Sequence, residues 1–312
     1  MLDGPDVSVA LRGGVRSRTH AWDFVRWFAD AWMGRPLEPA DGCGEGELAA
    51  VEAELGFELP AALREGYSLF GRRQDLTRRQ DPLVPATGLY VADGVGGLLV
   101  FRQENQDCAF WGIPLAEIEQ DDPPVLVESR DGSVPFLDQV SLAWVELVLS
   151  ESLFGADDLR LYDACELPES LLPSLHESYA RVDLPDHPLW AGEGDSPVPW
   201  FSAPGRLVRR DGIQDHSWIH ARGRTAADLE SCAKNFPAPG SAEAALPGTS
   251  TDRHLMGLGP VATRPVLGGS TMRVVRHGAS VSASGGGDTG PVFATDRRPG
   301  TTEGLSLTAQ GR

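Results

Sequence analysis

Lysine is almost missing from this chain of 312 residues: Lys234 stands alone beside 26 arginines. Cysteine is scarce too, and Cys43, Cys108, Cys165 and Cys232 lie too far apart for a CxxC pair or a dense disulfide framework. Four thiols in so long a chain predict a reducing compartment with buried thiols. Nowhere do 18 apolar residues run together, which excludes a membrane-spanning helix. The start MLDGPDVSVALRGG lacks the basic opening and continuous apolar core of a signal peptide, so a cytoplasmic protein is expected. A GxSxG elbow, a phosphate loop ending in GK[ST] and an HExxH helix are absent as well. No catalytic residue and no cofactor is therefore predicted.

Aromatic residues are missing from the end of the chain. Residues 241–312 hold one of the 23 aromatics, Phe293, but 13 of the 36 glycines. A segment so poor in large apolar side chains cannot offset the entropy of ordering it, and it reads as a disordered tail. It carries 7 arginines and 5 acidic residues, which leaves residues 1–240 with 20 basic against 40 acidic groups. Nucleic acid and anionic membrane are poor partners for such a body. The surplus concentrates in residues 41–160, where 23 acidic residues face 8 arginines.

What is present reads as an α+β protein, a mostly antiparallel sheet flanked by helices, with a small additional α+β unit before the tail. In HAWDFVRWFADAWM, Trp22, Val25, Phe28, Ala29 and Trp32 recur at spacings of three and four, so the spacing predicts a core-facing helix capped by Thr19 and stopped by Gly34 and Pro36. Residues 35–46, including the glycine-rich DGCGEGE, read as a linker, which closes a first segment at residues 1–46. Then ELAAVEAELGFELPAALREGYSLFG reads as two short helices, broken at Gly56, restarted at Pro60 and closed at Gly71. An Arg-rich loop and the strands LVPATGLYVA, GGLLVFRQ, CAFWGIPL and VLVES follow, with a turn at Asp131 and Gly132. Asp138 or Ser141 caps a last helix, SLAWVELVLSESLF, which Gly155 ends. Residues 156–240 are expected to form an accessory unit: a helix limited by Pro173, a hairpin from RLVRRDGIQDHSWIHARG, and a helix capped by Thr225. Trp190, Trp200 and Trp218 are expected to find cover there.

The LGxxLP element in VEAELGFELPAALREGYSLFG, the ENQ…WGI element in GGLLVFRQENQDCAFWGI, the following DDPPV and the closing SLAWVELVLSESLF stand in an order that resembles the SUKH superfamily. That family includes the yeast Smi/Knr cell-wall regulators and many bacterial immunity proteins of polymorphic or contact-dependent toxin systems. The resemblance spans about residues 47–155. It implies a non-enzymatic protein whose partner is a cognate protein toxin, a nuclease among the candidates. A regulatory or scaffolding module with several weak partners is the alternative.

ENQDCAFWGI, with two carboxylates and two amides before Phe110 and Trp111, then reads as a turn followed by a core strand. Asn105 and Gln106 also make good rim material for an interface. Glu117, Glu119, Asp121 and Asp122 around the DDPP turn are the other predicted partner contacts, with the Arg72 to Asp81 loop as an oppositely charged edge. Strand alternation predicts that Cys108 is buried. His216, Trp218, His220 and Arg222 alternate with Ser217, Ile219 and Ala221, so the histidines read as a solvated strand face. His216 with Asp215 or His220 is a spacing that zinc also accepts, but no metal site is predicted. His187, between prolines, has no partner nearby in sequence. The adjacent pairs Asp121–Asp122 and Asp157–Asp158 lack the apolar frame that acid and base work needs.

Overall fold

The computed structural model describes residues 4–93, 96–154, 161–167, 172–191, 197–213 and 216–235. The expected tail at 241–312, the helix end at Gly155, and Asp157, Asp158 and Asp215 lie outside the described residues.

The architecture is α+β with antiparallel sheets. The chain opens with α1 (Val7–Ala10) and α2 (Arg18–Trp27), the latter continued by a π-helical turn at Phe28–Trp32. A 3₁₀ turn at Pro39–Asp41 leads to α3 (Glu45–Leu55), α4 (Ala61–Phe70) and the single turn α5 (Gln74–Thr77). A meander follows in spatial order β1 (Tyr90–Ala92), β2 (Leu98–Gln103), β3 (Ala109–Pro114), β4 (Val125–Ser129) and β5 (Gly132–Leu137). Helix α6 (Val140–Phe154) comes next, then β6 (Tyr162–Leu167), α7 (Leu172–Ser178), β7 (Ala180–Arg181) and the ribbon of β8 (His187–Pro188) with β9 (Pro197–Val198). Strands β10 (Trp200–Ala203), β11 (Arg206–Ile213) and β12 (His216–Gly223) precede α8 (Ala226–Asn235). The second sheet runs β6-β12-β11-β10-β7.

Local chemistry explains most boundaries. Trp22, Val25, Phe28, Ala29 and Trp32 are all buried, as their spacing predicts. The cap of α2 is Ser17, not Thr19: the Ser17 hydroxyl accepts from His20 N at 3.2 Å, which starts the helix two residues earlier. Gly56 ends α3 at φ +82°, a conformation that glycine adopts without a Cβ penalty. Pro60 stands just ahead of α4 as its N-cap rather than inside its first turn. Pro173 does not limit α7; it occupies the first turn, where a missing N–H costs nothing. Thr225 and Asp228 cap α8 reciprocally: Thr225 Oγ1 accepts from Asp228 N at 3.2 Å and Asp228 Oδ2 accepts from Thr225 N at 3.0 Å.

The hydrophobic core is organised around α6, whose residues from Val140 to Leu153 are all buried. A helix buried on every side needs partners on every side, for its carboxylates as for its apolar side chains. Helices α2, α4 and α5 and strands β5 and β12 pack against it. Trp144 stands edge-on to Tyr67 and Phe70, with ring centroids 5.4 and 4.9 Å away. This cluster also takes Val7 and Leu11 from the N-terminus and Trp200 and Leu207 from the second sheet. The other face of that sheet, with Phe201, Val208, Ile219 and Ala221, packs against Leu175, Tyr179 and Cys232 in a smaller cluster.

Two expectations about exposure are corrected here. Trp200 is buried and Trp190 half-buried, but Trp218 keeps 43% of its surface exposed. Residues 35–46 are more than a spacer: Asp41 and Cys43 are buried, and α3 already begins at Glu45. In the Arg72 to Asp81 segment Arg73 is wholly buried against Asp75 Oδ1 at 2.6 Å and Asp41 Oδ2 at 3.4 Å, whereas Arg72, Arg78 and Arg79 are exposed. Helix α4 reaches α6 because Gly66 has no side chain; a Cβ there would lie 2.3 Å from Trp144 Cε2. Gly66→Ala is expected to cost about 1–3 kcal/mol by overpacking, seen as a lower urea midpoint at unchanged slope.

Candidate protein-binding face

The six predicted contact residues do not form one patch. Asn105 and Gln106 sit on the turn before β3, whereas Glu117, Glu119, Asp121 and Asp122 follow its end. At about 3.3 Å per residue, the six-residue strand holds the two groups at opposite ends of the sheet.

At the first end, Glu104 is the organising side chain. It is buried, and its Oε2 accepts from Gln106 N at 2.7 Å and from Cys108 N at 3.1 Å. Asp107 between them takes φ +62°, which a short polar side chain tolerates. The turn reading of ENQD therefore holds for Glu104, and Trp111 beyond it is buried as expected. Asn105 and Gln106 are exposed. Cys108 is exposed too, contrary to expectation, because it still belongs to the turn and alternation starts only at Ala109.

At the other end, the acidic turn divides its labour. Asp122 is partly buried and caps α6 from 19 residues away: its carboxylate accepts from Ser141 N at 2.8 Å and Ser141 Oγ at 2.6 Å. Neither Asp138 nor Ser141 is seen to accept from that first turn; Ser141 is the residue being bonded. Burial raises the Asp122 pKa, opposed by the Ser141 hydrogen bonds and by Arg18. Glu117 accepts from the Gln120 side-chain amide. Asp121, with 80% of its side chain exposed, pairs with Arg18 Nη1 at 3.1 Å, and Arg18 Nε reaches Glu65 at 3.3 Å. The hydrogen bond to Asp121 raises the Arg18 pKa.

Glu119 and Asp121 overhang a groove of roughly 700 Å³ between this turn and the α3–α4 corner that carries the LGxxLP element. Arg64 lies on its far wall, bonded to Glu45 at 3.0 Å and to Glu52 at 3.2 Å. A second hollow of roughly 440 Å³ adjoins on the other side of Arg64, beside Trp22 and Leu69.

A buried polar network lies elsewhere, against α6, and sequence reading did not find it. Arg102 Nη1 bonds Glu146 Oε2 at 2.6 Å, and its Nη2 lies 3.5 Å from Glu151 Oε1. Glu151 also accepts from the backbone N–H groups of Arg79, Gln80 and Asp81, the last at 2.9 Å. Burial works against ionised Glu146, yet Arg102 and then His187 hold its pKa below the ordinary value. His187 is buried with Nε2 3.7 Å from Glu146 Oε1, and burial lowers its pKa. Ser150 Oγ donates to Glu146 Oε1 at 2.5 Å and accepts from Arg209 Nη1 at 3.3 Å.

Arg209 leads on to Asp211 at 2.5 Å, and His220 bridges Asp211 Oδ1 at 3.2 Å and the Tyr162 hydroxyl at 2.8 Å. His220 also packs on Phe154. On this face of β12 His220 is half-buried and Arg222 is buried, whereas Trp218 is exposed, so the solvated reading holds for Trp218 and not for His220. Both His220 nitrogens are engaged, while the side chain of His216 and all of Asp215 lie outside the described residues. Hydroxyl, imidazole and carboxylate stand in the order of a nucleophile relay, but burial pushes the Tyr162 pKa up, opposite to activation. Among the described residues, no group of three or more His, Cys, Asp or Glu is placed to hold a metal ion, and no helix is long and apolar enough to cross a membrane.

Comparison of the chain with protein-family models, curated proteins and solved structures finds no match.

Proposed function

We propose that this chain is a non-enzymatic immunity protein of the SUKH type, which neutralises a cognate protein toxin by covering its active site or substrate channel. The observation that carries the reading is the position of Glu119 and Asp121, exposed on an acidic turn above an open groove flanked by the LGxxLP helix pair. The sequence elements behind the resemblance lie in one run of helix pair, meander and closing helix. A toxin with a basic cleft, as a nuclease has, presents the complementary field to a body with 20 surplus negative charges. Such complementarity raises association toward ~10⁸ M⁻¹s⁻¹ at low salt. A standard interface of about 1,600 Å² in total fits on a face of this size.

The test uses the full chain as bait in lysate of the cells that encode it. The expected result is one toxin-like protein at equal stoichiometry, whose activity the chain abolishes on recombination. Its affinity should fall at least about tenfold between low and high salt. A spread of housekeeping proteins at low occupancy would overturn the reading in favour of a regulatory module.

A further inference from the structure

We infer that the groove beneath Glu119 takes a basic amphipathic segment of the partner protein, with arginine or lysine on the rim and apolar side chains on the floor. This rests on the partner-binding reading above. The groove holds roughly 700 Å³ and is lined by Phe57 and Ile118, both half-buried, with Leu59 and Pro60 buried next to Phe57 in the chain. Glu58 and Glu119 edge the groove, both exposed, and neither has a hydrogen-bond or ion-pair partner among the described residues.

The neighbouring carboxylates already show what they accept. Arg18 sits on Asp121 and Glu65, and Arg64 sits on Glu45 and Glu52, so each fork of acidic groups on this face holds a guanidinium. Glu58 and Glu119 are left to receive the same chemistry from outside. An acidic rim over an apolar floor repels nucleic acid and anionic lipid, whose phosphates would meet carboxylates. It attracts a segment that pairs positive charge with apolar side chains at helical spacing. A second copy of this body, with the same negative surplus, is a poorer occupant.

The test uses the full chain and a labelled synthetic peptide of about 14 residues, with arginine and lysine flanking leucines at helical spacing. A control peptide carries glutamate in place of every basic residue. Anisotropy at low salt is expected to show binding of the basic peptide only. The variant E58K/E119K should bind it at least about tenfold more weakly, a loss of about 1.4 kcal/mol. The variant E177K/E230K, with the same charge change on α7 and α8, should stay within about twofold of the unaltered chain. Both pairs are exposed, so neither change disturbs the core.

Equal binding by E58K/E119K, or an equal loss in both variants, would overturn the assignment, because attraction would then be to net charge and not to this groove. So would a dimer of the chain that E58K/E119K dissociates. Groove-dependent peptide binding by a chain that captures no toxin would sink the toxin reading alone and leave the groove assignment standing.

Discussion

Arg102→Met is expected to lower the stability of the fold by about 3–5 kcal/mol, because it leaves buried carboxylates without their counter-charge. Arg102 is the only cation within hydrogen-bonding distance of both Glu146 and Glu151 among the described residues. It also donates from Nε to the Asp81 carbonyl at 3.1 Å and lies 4.5 Å over the Trp111 ring. Methionine keeps most of the volume, so the loss measures charge rather than a cavity. In a body of about 230 residues this lowers Tm by on the order of 10 °C. The double variant Arg102→Met with Glu146→Leu should recover part of the loss, since removing both members of a buried pair is far cheaper than removing one. A double variant as unstable as the single one would show that the loss arises from packing.

The second large effect concerns acid. Burial opposes ionisation of Asp211, but the His220 hydrogen bond and the Arg209 guanidinium outweigh it and hold its carboxyl at about 2. A folded pKa below the unfolded value of about 3.8 means that the contribution is fully present above about pH 4. It is lost as the pH falls through about 2. The size is on the order of 2–3 kcal/mol. Asp211→Asn should show that loss already at pH 7 and a flatter profile from pH 4 down to 2.

Asp81 works in the opposite direction: burial, opposed by Arg102, pushes its pKa up to about 6. Its contribution is therefore complete below about pH 4 and is lost as the pH rises through about 6. Urea titrations at pH 2.5, 4 and 7, all order-of-magnitude choices set by these windows, separate the two groups. An Asp211→Asn profile parallel to the unaltered chain below pH 4 would refute the assignment of the acid loss to this carboxyl.

Much of the fold was legible because it is set within a few residues. The spacing of Trp22, Val25, Phe28 and Trp32, the helix stop at Gly56, and a hairpin in the run from Arg206 to Gly223 follow from periodicity and turn residues, whereas the register Arg206↔Gly223 to Ile213↔His216 is given by the structure. The α+β class follows from the order of those elements. The candidate face was half legible. Composition pointed to the acidic turn, but the three-dimensional split of Asn105 and Gln106 from Glu119 and Asp121 depends on the direction of β3. The groove floor joins Phe57 to Ile118 across some 60 residues of sequence, a juxtaposition that no local pattern encodes.

By itself, then, the sequence determined the helices, the meander, the hairpin and a strongly acidic body, each through local propensity or simple counting. Only the tertiary structure decided which polar residues serve the fold and which face outward. Arg102 reads as the polar end of a strand, but an irregularity in pairing between Val100 and Arg102 re-aims the chain and brings its guanidinium against α6. Asp122 reads as half of a surface pair, yet it caps a helix 19 residues on, while its neighbour Asp121 stays exposed. His187 reads as a loop histidine, and burial beside Glu146 makes it part of the core. Each outcome depends on the partner that folding brings to a side chain. The strength of an ionic contact is set by the solvent that folding removes from it.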